Sequence, residues 1–170
     1  MAKQRFDSYC GLYCGACEVM NAVTYQDKER VISIFRDLWE KTGMGGVTPD
    51  EVECTGCKTD NVFINCSKCF MRQCAISKGV EFCIDCLEFP CSFYKQGEEV
   101  TAQFPQLKHL RPIVKNQEFI KEHGLDEWLK DQEIRWECPS CKTRYSWYAQ
   151  ECRNCKEDLK GIKDYENLKD

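Results

Sequence analysis

The sequence predicts a small α+β fold dominated by metal binding. It reads as an α-rich cysteine-knuckle domain, a helical connector and a β-hairpin ribbon. Three observations predict this. Fifteen of the 170 residues are cysteine. Six pairs have the CxxC spacing: Cys14/Cys17, Cys54/Cys57, Cys66/Cys69, Cys83/Cys86, Cys138/Cys141 and Cys152/Cys155. Residues 1–96 hold eleven cysteines, residues 97–133 none and residues 134–170 four. The expected segments are a cysteine-rich domain at 1–96, a helical connector at 97–133, a ribbon at 134–160 and a tail at 161–170.

A cysteine content of about 9% marks a disulfide scaffold in a secreted chain, but the pattern argues for metal. The N-terminal MAKQRFDSYC lacks the apolar stretch of a signal peptide, so a cytoplasmic protein is expected. An odd number of cysteines leaves one over in any intramolecular disulfide set. Two residues between thiols let both sulfurs grip one ion, and repeating that spacing six times suits ligation better than redox exchange. The core also needs help. Val, Ile, Leu and Phe together make 36 of the 170 residues, close to the level below which chains lean toward disorder. A buried large apolar side chain contributes roughly 1.5–3 kcal/mol, whereas a structural zinc contributes an apparent ~10–16 kcal/mol. Metal and folding are therefore expected to be coupled.

The net charge is −4, and each zinc held by four thiolates would add about −2 to the protein's charge. A nonspecific nucleic-acid binder needs a basic surface to displace counterions, so a protein partner is expected and nucleic acid is not. No apolar run is long enough to span a membrane.

Helices are expected between the knuckles. DKERVISIFRDLWEKTG (27–43) places Val31, Ile32, Phe35, Leu38 and Trp39 on one stripe, with Lys41 in the last turn and Gly43 as the stop. TPDEVEC (48–54) reads as one helical turn with Thr48 as N-cap and Pro49 first, delivering Cys54 and Cys57. CAISKG (74–79) reads as a short helix ending at Gly79. In the connector, a helix over 110–124 has Pro112 in its first turn and Gly124 as its stop. A second, over 125–136, carries Leu125, Trp128, Leu129 and Trp136 as packing residues.

The strongest metal signal is CPSCKTRYSWYAQECRNC. Cys138, Cys141, Cys152 and Cys155 form two knuckles, and a hairpin between them through Tyr145, Trp147 and Tyr148 would set four sulfurs at the corners of a tetrahedron. Four protein thiolates leave no open position, so zinc there is structural. The eight basic and seven acidic residues of 134–170 give little support to aromatic stacking on nucleic acid. Cys54, Cys57, Cys66 and Cys69 repeat the two-knuckle spacing, and Cys74, Cys83, Cys86 and Cys91 supply four more ligands. Sequential and cross-braced pairings use the same residues.

Cys10, Cys14 and Cys17 have the CxxxCxxC spacing with which radical S-adenosylmethionine enzymes hold a cluster, but the chain lacks their length and strand–helix alternation. The alternatives are a zinc site completed by Cys91, His109 or Asp7, and a simple electron-transfer iron–sulfur cluster. His109 and His123 are the only histidines, both in helical sequence. In all, about three or four zinc ions are expected, with an iron–sulfur cluster as the alternative at Cys10, Cys14 and Cys17.

A catalytic constellation does not emerge. GMGG (43–46) has neither the Rossmann spacing nor a P-loop lysine. Arg72 and Lys78 flank Cys74, but such charges favour metal-bound thiolates as well as a nucleophile.

CGLYCGAC (10–17), then CTGCK (54–58), then CSKCFMRQCAISKGVEFCIDCLEFPC (66–91) resembles a cysteine-rich bacterial and archaeal family, domain of unknown function 3795, over roughly residues 8–96. The connector and ribbon are similar to the tail of its longer members. The resemblance implies metal-binding cysteines at Cys10, Cys14, Cys17, Cys54, Cys57, Cys66, Cys69, Cys74, Cys83, Cys86 and Cys91, and implies no activity. The expected function is that of a zinc-binding binding or adaptor module. An iron–sulfur redox protein is the alternative, and a metalloenzyme with an open N-terminal site a third.

Overall fold

In the computed structural model the chain is helix-rich. The structure describes residues 3–42, 46–103 and 107–160, with side chains described except at 37–42 and Lys108. The expected roles of the Leu38, Trp39 and Lys41 side chains, Gly43 with the rest of the GMGG loop before Gly46, and the 161–170 tail lie outside these.

Helices α1 (Glu18–Tyr25) and α2 (Lys28–Thr42) pack against one another. α1 ends at Gln26, whose φ of 57° is left-handed and whose N–H closes onto Ala22 and Val23. Val31 and Ile32 are buried and Phe35 is half-buried, as the helical stripe requires. They pack with Val19, Met20, Val52 and Phe63 into one of two apolar clusters, which Cys54 shares and Cys14 and Cys17 flank. The turn before Cys54 is a 3-10 turn, Pro49–Glu51. The Glu51 carboxylate accepts hydrogen bonds from the Thr48 N–H (2.8 Å) and hydroxyl (2.9 Å), locking the turn.

α3 (Ile64–Ser67) and α4 (Phe70–Lys78) follow, and Gly79 (φ 64°) caps α4. A 3-10 turn, Cys83–Asp85, leads to α5 (Ser92–Gln103). After a further 3-10 turn, Lys108–Leu110, come α6 (Ile113–His123) and α7 (Leu125–Arg135), hinged at Gly124 with φ 86°.

α6 packs on the opening loop through polar side chains. Gln117 is fully buried. Its amide donates to the Tyr9 carbonyl (3.0 Å) and accepts from the Ile84 N–H (2.8 Å). Asn116 donates to the Gly11 carbonyl (2.8 Å). These groups take the place of a strand partner for a loop that has none. Trp128, 1% exposed, meets Tyr13 edge-on at 5.9 Å. The second apolar cluster joins Tyr13, Phe82, Ile120 and Trp128 to Trp136, Tyr145 and Leu159 of the C-terminal part, together with Cys138 and Cys152.

The expected β-hairpin between the C-terminal knuckles is not formed. The extended pairing among the described residues consists of two isolated antiparallel bridges, Glu137 with Arg144 and Glu151 with Asp158. Each lies inside a knuckle. The aromatic residues between the knuckles serve packing: Tyr145 meets Trp136 at 5.6 Å, and the Trp147 N–H bonds the Ala16 carbonyl at 3.0 Å. Aromatic composition, which raises strand propensity, here marks residues that bury sideways.

Candidate metal centre

The C-terminal quartet is built twice from the same local pattern. In the first knuckle the Lys142 N–H returns to the Cys138 carbonyl (2.9 Å) and the Cys138 N–H bonds the Thr143 carbonyl (3.0 Å). In the second, Lys156 N–H returns to Cys152 (3.0 Å) and Cys152 N–H bonds Glu157 (2.8 Å). The bonds from Tyr145 to Trp136 and from Leu159 to Gln150 repeat at the same offset. Both turns close through a left-handed lysine, Lys142 at φ 60° and Lys156 at φ 65°. The signal for this duplication lies in the sequence as ECPSCKTRY and ECRNCKEDL (137–145 and 151–159), a repeat that reading by CxxC spacing alone misses.

Face to face, the two turns bring four sulfurs together. Cys138 Sγ lies 3.5 Å from Cys155 Sγ, and Cys141 Sγ 3.5 Å from Cys152 Sγ. All four ligand atoms lie within 4.8 Å of one another. A tetrahedral zinc with Zn–S of about 2.3 Å needs sulfurs about 3.8 Å apart, so the donor set and its spacing fit such an ion. Hydrogen bonding at Thr143 pulls the Cys141 thiol down to about 5. Cys155 goes the other way: a hydrogen bond from the Glu157 backbone favours its thiolate, but burial and the neighbouring sulfurs push it up to about 12. Four thiols this close cannot all ionise without a cation between them.

The structure also gathers cysteines distant in sequence. Burial, then the charges of Cys57, Cys17 and Cys54, pushes the Cys14 thiol well up. Burial pushes Cys17 to about 11, with Cys54 adding to it. Cys66 is raised by burial and by Cys17, Cys54, Cys57 and Cys69. The N-terminal CxxC thus faces the Cys54/Cys57 knuckle and Cys66. That loop is tightly built: the Arg5 N–H bonds the Thr55 carbonyl (2.7 Å), and at Gly56, φ 133°, a Cβ would sit 2.1 Å from the Arg5 carbonyl oxygen. Cys10 is close enough to Cys69, Cys57 and Cys83 for their charges to act on one another.

Cys74, Cys83, Cys86 and Cys91 line a separate cavity of about 290 Å³. Burial pushes the Cys83 thiol up to about 11, with the charges of Cys10, Cys91 and Cys74 adding to it, and the Tyr94 hydroxyl beside it donates to the Cys10 carbonyl (3.4 Å). Lys78 Nζ lies 3.5 Å from Cys86 Sγ and pairs with Glu88 at 2.6 Å, while Arg72 turns away to the Cys57 carbonyl (2.9 Å).

The other candidate ligands are engaged elsewhere. The Asp7 carboxylate, 2% exposed, is gripped by Arg5 (2.7 Å) and by Lys58 (3.0 Å), whose own side chain is 2% exposed. His109 stacks on Trp147 with ring centroids 5.0 Å apart and shares a hydrogen bond through Nδ1 with the Tyr148 hydroxyl. His123 lies against Phe119 at 4.5 Å. The ion cluster of Arg5, Asp7, Lys58 and Glu81, buried at Asp7 and Lys58, carried no motif by which spacing could reveal it.

Helix-held knuckles and a compact thiol quartet define the class: a cysteine-rich protein able to bind metal. Residues 6–96 match the family described as Protein of unknown function (DUF3795), and the chain belongs to that family. No curated protein matches the chain. No solved structure matches it either. No helix among the described residues is long and apolar enough to cross a membrane.

Proposed function

We propose that the chain is a zinc-binding protein that acts as a binding or adaptor module for another protein in the cytoplasm. The observation that carries this reading is the quartet of Cys138, Cys141, Cys152 and Cys155, with sulfurs 3.5 Å apart in two opposed pairs. Zinc held there has four protein thiolates and no exchangeable position, which is the coordination of a structural ion. The resulting zinc ribbon is tied to the cysteine-rich part by Ser146 on Glu18 (2.5 Å) and Arg153 on Asp27 (3.1 Å). The remaining eleven cysteines are proposed as ligands of further metal sites. Exposed Phe70, Ile76 and Leu87 offer apolar contact to a protein partner. The net charge of −4 disfavours nucleic acid.

Elemental analysis of anaerobically purified protein tests the metal. One zinc per chain that disappears in Cys138→Ser and in Cys152→Ser supports the ribbon; zinc unchanged in both variants overturns it. The adaptor role is tested by affinity capture with wild type and Leu87→Glu side by side. A protein retained by the first and lost by the second supports the surface, and identical captured sets refute it.

A further inference from the structure

The cavity beneath α4 is lined by four cysteines from adjoining pieces of chain. Cys74 projects from α4, Cys83 opens the 3-10 turn, Cys86 closes it, and Cys91 immediately precedes α5. Their arrangement differs from that of the C-terminal quartet. There, all four ligand atoms lie within 4.8 Å of one another; among the described residues no other group of three or more Cys, His, Asp or Glu meets that spacing. No three of the cavity cysteines therefore come that close to one another, and they surround about 290 Å³ of space. A single zinc ion requires thiolates at about 2.3 Å, and a void of that size is the wrong shape for it. A cubane of four irons and four sulfides holds its cysteine sulfurs roughly 6 Å apart and fills such a space.

We propose that Cys74, Cys83, Cys86 and Cys91 bind a [4Fe–4S] cluster. The surroundings suit one. Met71, Val80 and Phe93 give the cavity an apolar wall, which limits water access to the sulfides. With its four thiolates an oxidised cluster carries a charge of about −2, and the Lys78 ammonium, 3.5 Å from Cys86 Sγ, offsets part of it. The Tyr94 hydroxyl lines the cavity while donating to the Cys10 carbonyl at 3.4 Å, which ties the cavity wall to the opening loop. Assembly balances without a further oxidant. Two ferrous ions, two ferric ions, four sulfides and four thiols form four Fe–S(Cys) bonds and release four protons to solvent. The site is separate from the zinc proposed at the C-terminal quartet, because iron and zinc are counted independently.

The test is anaerobic reconstitution of the full chain with equal ferrous and ferric iron and sulfide, followed by iron, sulfide and zinc analysis and Mössbauer spectroscopy. The expected result is about four irons and four sulfides per chain with a cubane signature. Cys83→Ser and Cys91→Ser each lose at least half of that iron while zinc at the ribbon stays constant, which shows that the variants have folded. Tyr94→Phe leaves every ligand in place and retains the iron. Zinc in this cavity with no iron uptake overturns the proposal. So does a cluster that survives Cys83→Ser and Cys91→Ser but is lost in Cys14→Ser or Cys17→Ser.

Discussion

Lys58 shows how a single side chain fixes the loop that carries Cys57. Its ammonium is buried with Asp7 at 3.0 Å and Glu81 at 2.9 Å, and lies 3.5 Å from the Phe82 ring centroid. Removing Lys58 leaves the buried Asp7 carboxylate still paired with Arg5 at 2.7 Å, so the loss is that of a charged hydrogen bond, roughly 1.5–3 kcal/mol. Lys58→Met is expected to lower unfolding stability by that amount in urea titration of metal-loaded protein. Burial opposes the charge on Asp7, yet hydrogen bonds from Arg5 and Lys58 outweigh it and hold the carboxyl below its usual value of 3.8. His109 supplies a second pH dependence. Burial lowers its pKa from 6.5 to about 4. Between those values the unfolded chain takes up a proton that the native chain refuses, so this contribution is complete above pH 6.5 and is lost as pH falls toward 4. Stability curves of wild type and His109→Gln should therefore converge on acidification; a constant gap between pH 7 and pH 5 would show the ring is not held neutral.

At the scale of elements, the helices were the legible part of the fold. Val31, Ile32 and Phe35 recur at helical spacing, and burial follows that spacing. Gly79 and Gly124 mark ends because left-handed backbone suits them. Gln26 performs the same duty at the end of α1 without that freedom, at φ 57°. Gln26→Gly is expected to raise the thermal midpoint, corresponding to roughly 1 kcal/mol of relieved strain; a lowered midpoint would mean the glutamine side chain makes a contact worth more than the strain. The C-terminal quartet was equally legible, since two CxxC knuckles leave few arrangements for four thiols. The hairpin was misread because Tyr145 and Trp147 satisfy a strand pattern while their rings turn toward Trp136. The facing of Cys14 and Cys17 toward Cys54 and Cys66 depends on contacts far apart in the chain. Neither CxxC spacing nor helical period encodes such contacts. Gln117 and Asn116 gave no sign at all, because a polar residue on a helix looks solvent-facing until the loop beneath it is known.

Across the whole molecule, the metal site and the core are one packing unit. Cys138 and Cys152 are fully buried in the same apolar cluster as Tyr13, Phe82, Ile120 and Trp128. Extracting the proposed zinc leaves two unpaired thiols in that cluster and frees the ribbon to detach. Chelation should therefore lower the melting temperature of the entire chain in a single transition, followed by tryptophan fluorescence and far-ultraviolet circular dichroism together. Two separate transitions, with only the fluorescence responding to chelator, would show that the ribbon is an appendage.

The contacts from α6 to the opening loop also impose an order in time. Asn116 and Gln117 hold the backbone at Gly11 and Tyr9, more than a hundred residues upstream. Synthesis runs from the N-terminus at about 5–20 residues per second, so the stretch from residue 96 to residue 160 takes roughly 3–13 seconds to emerge. Over that interval eleven cysteines have left the ribosome ahead first of the helix that braces their loop, complete at His123, and then of the C-terminal segment that packs on it. Metal ions and oxidants alike therefore have access to those thiols before the chain is finished.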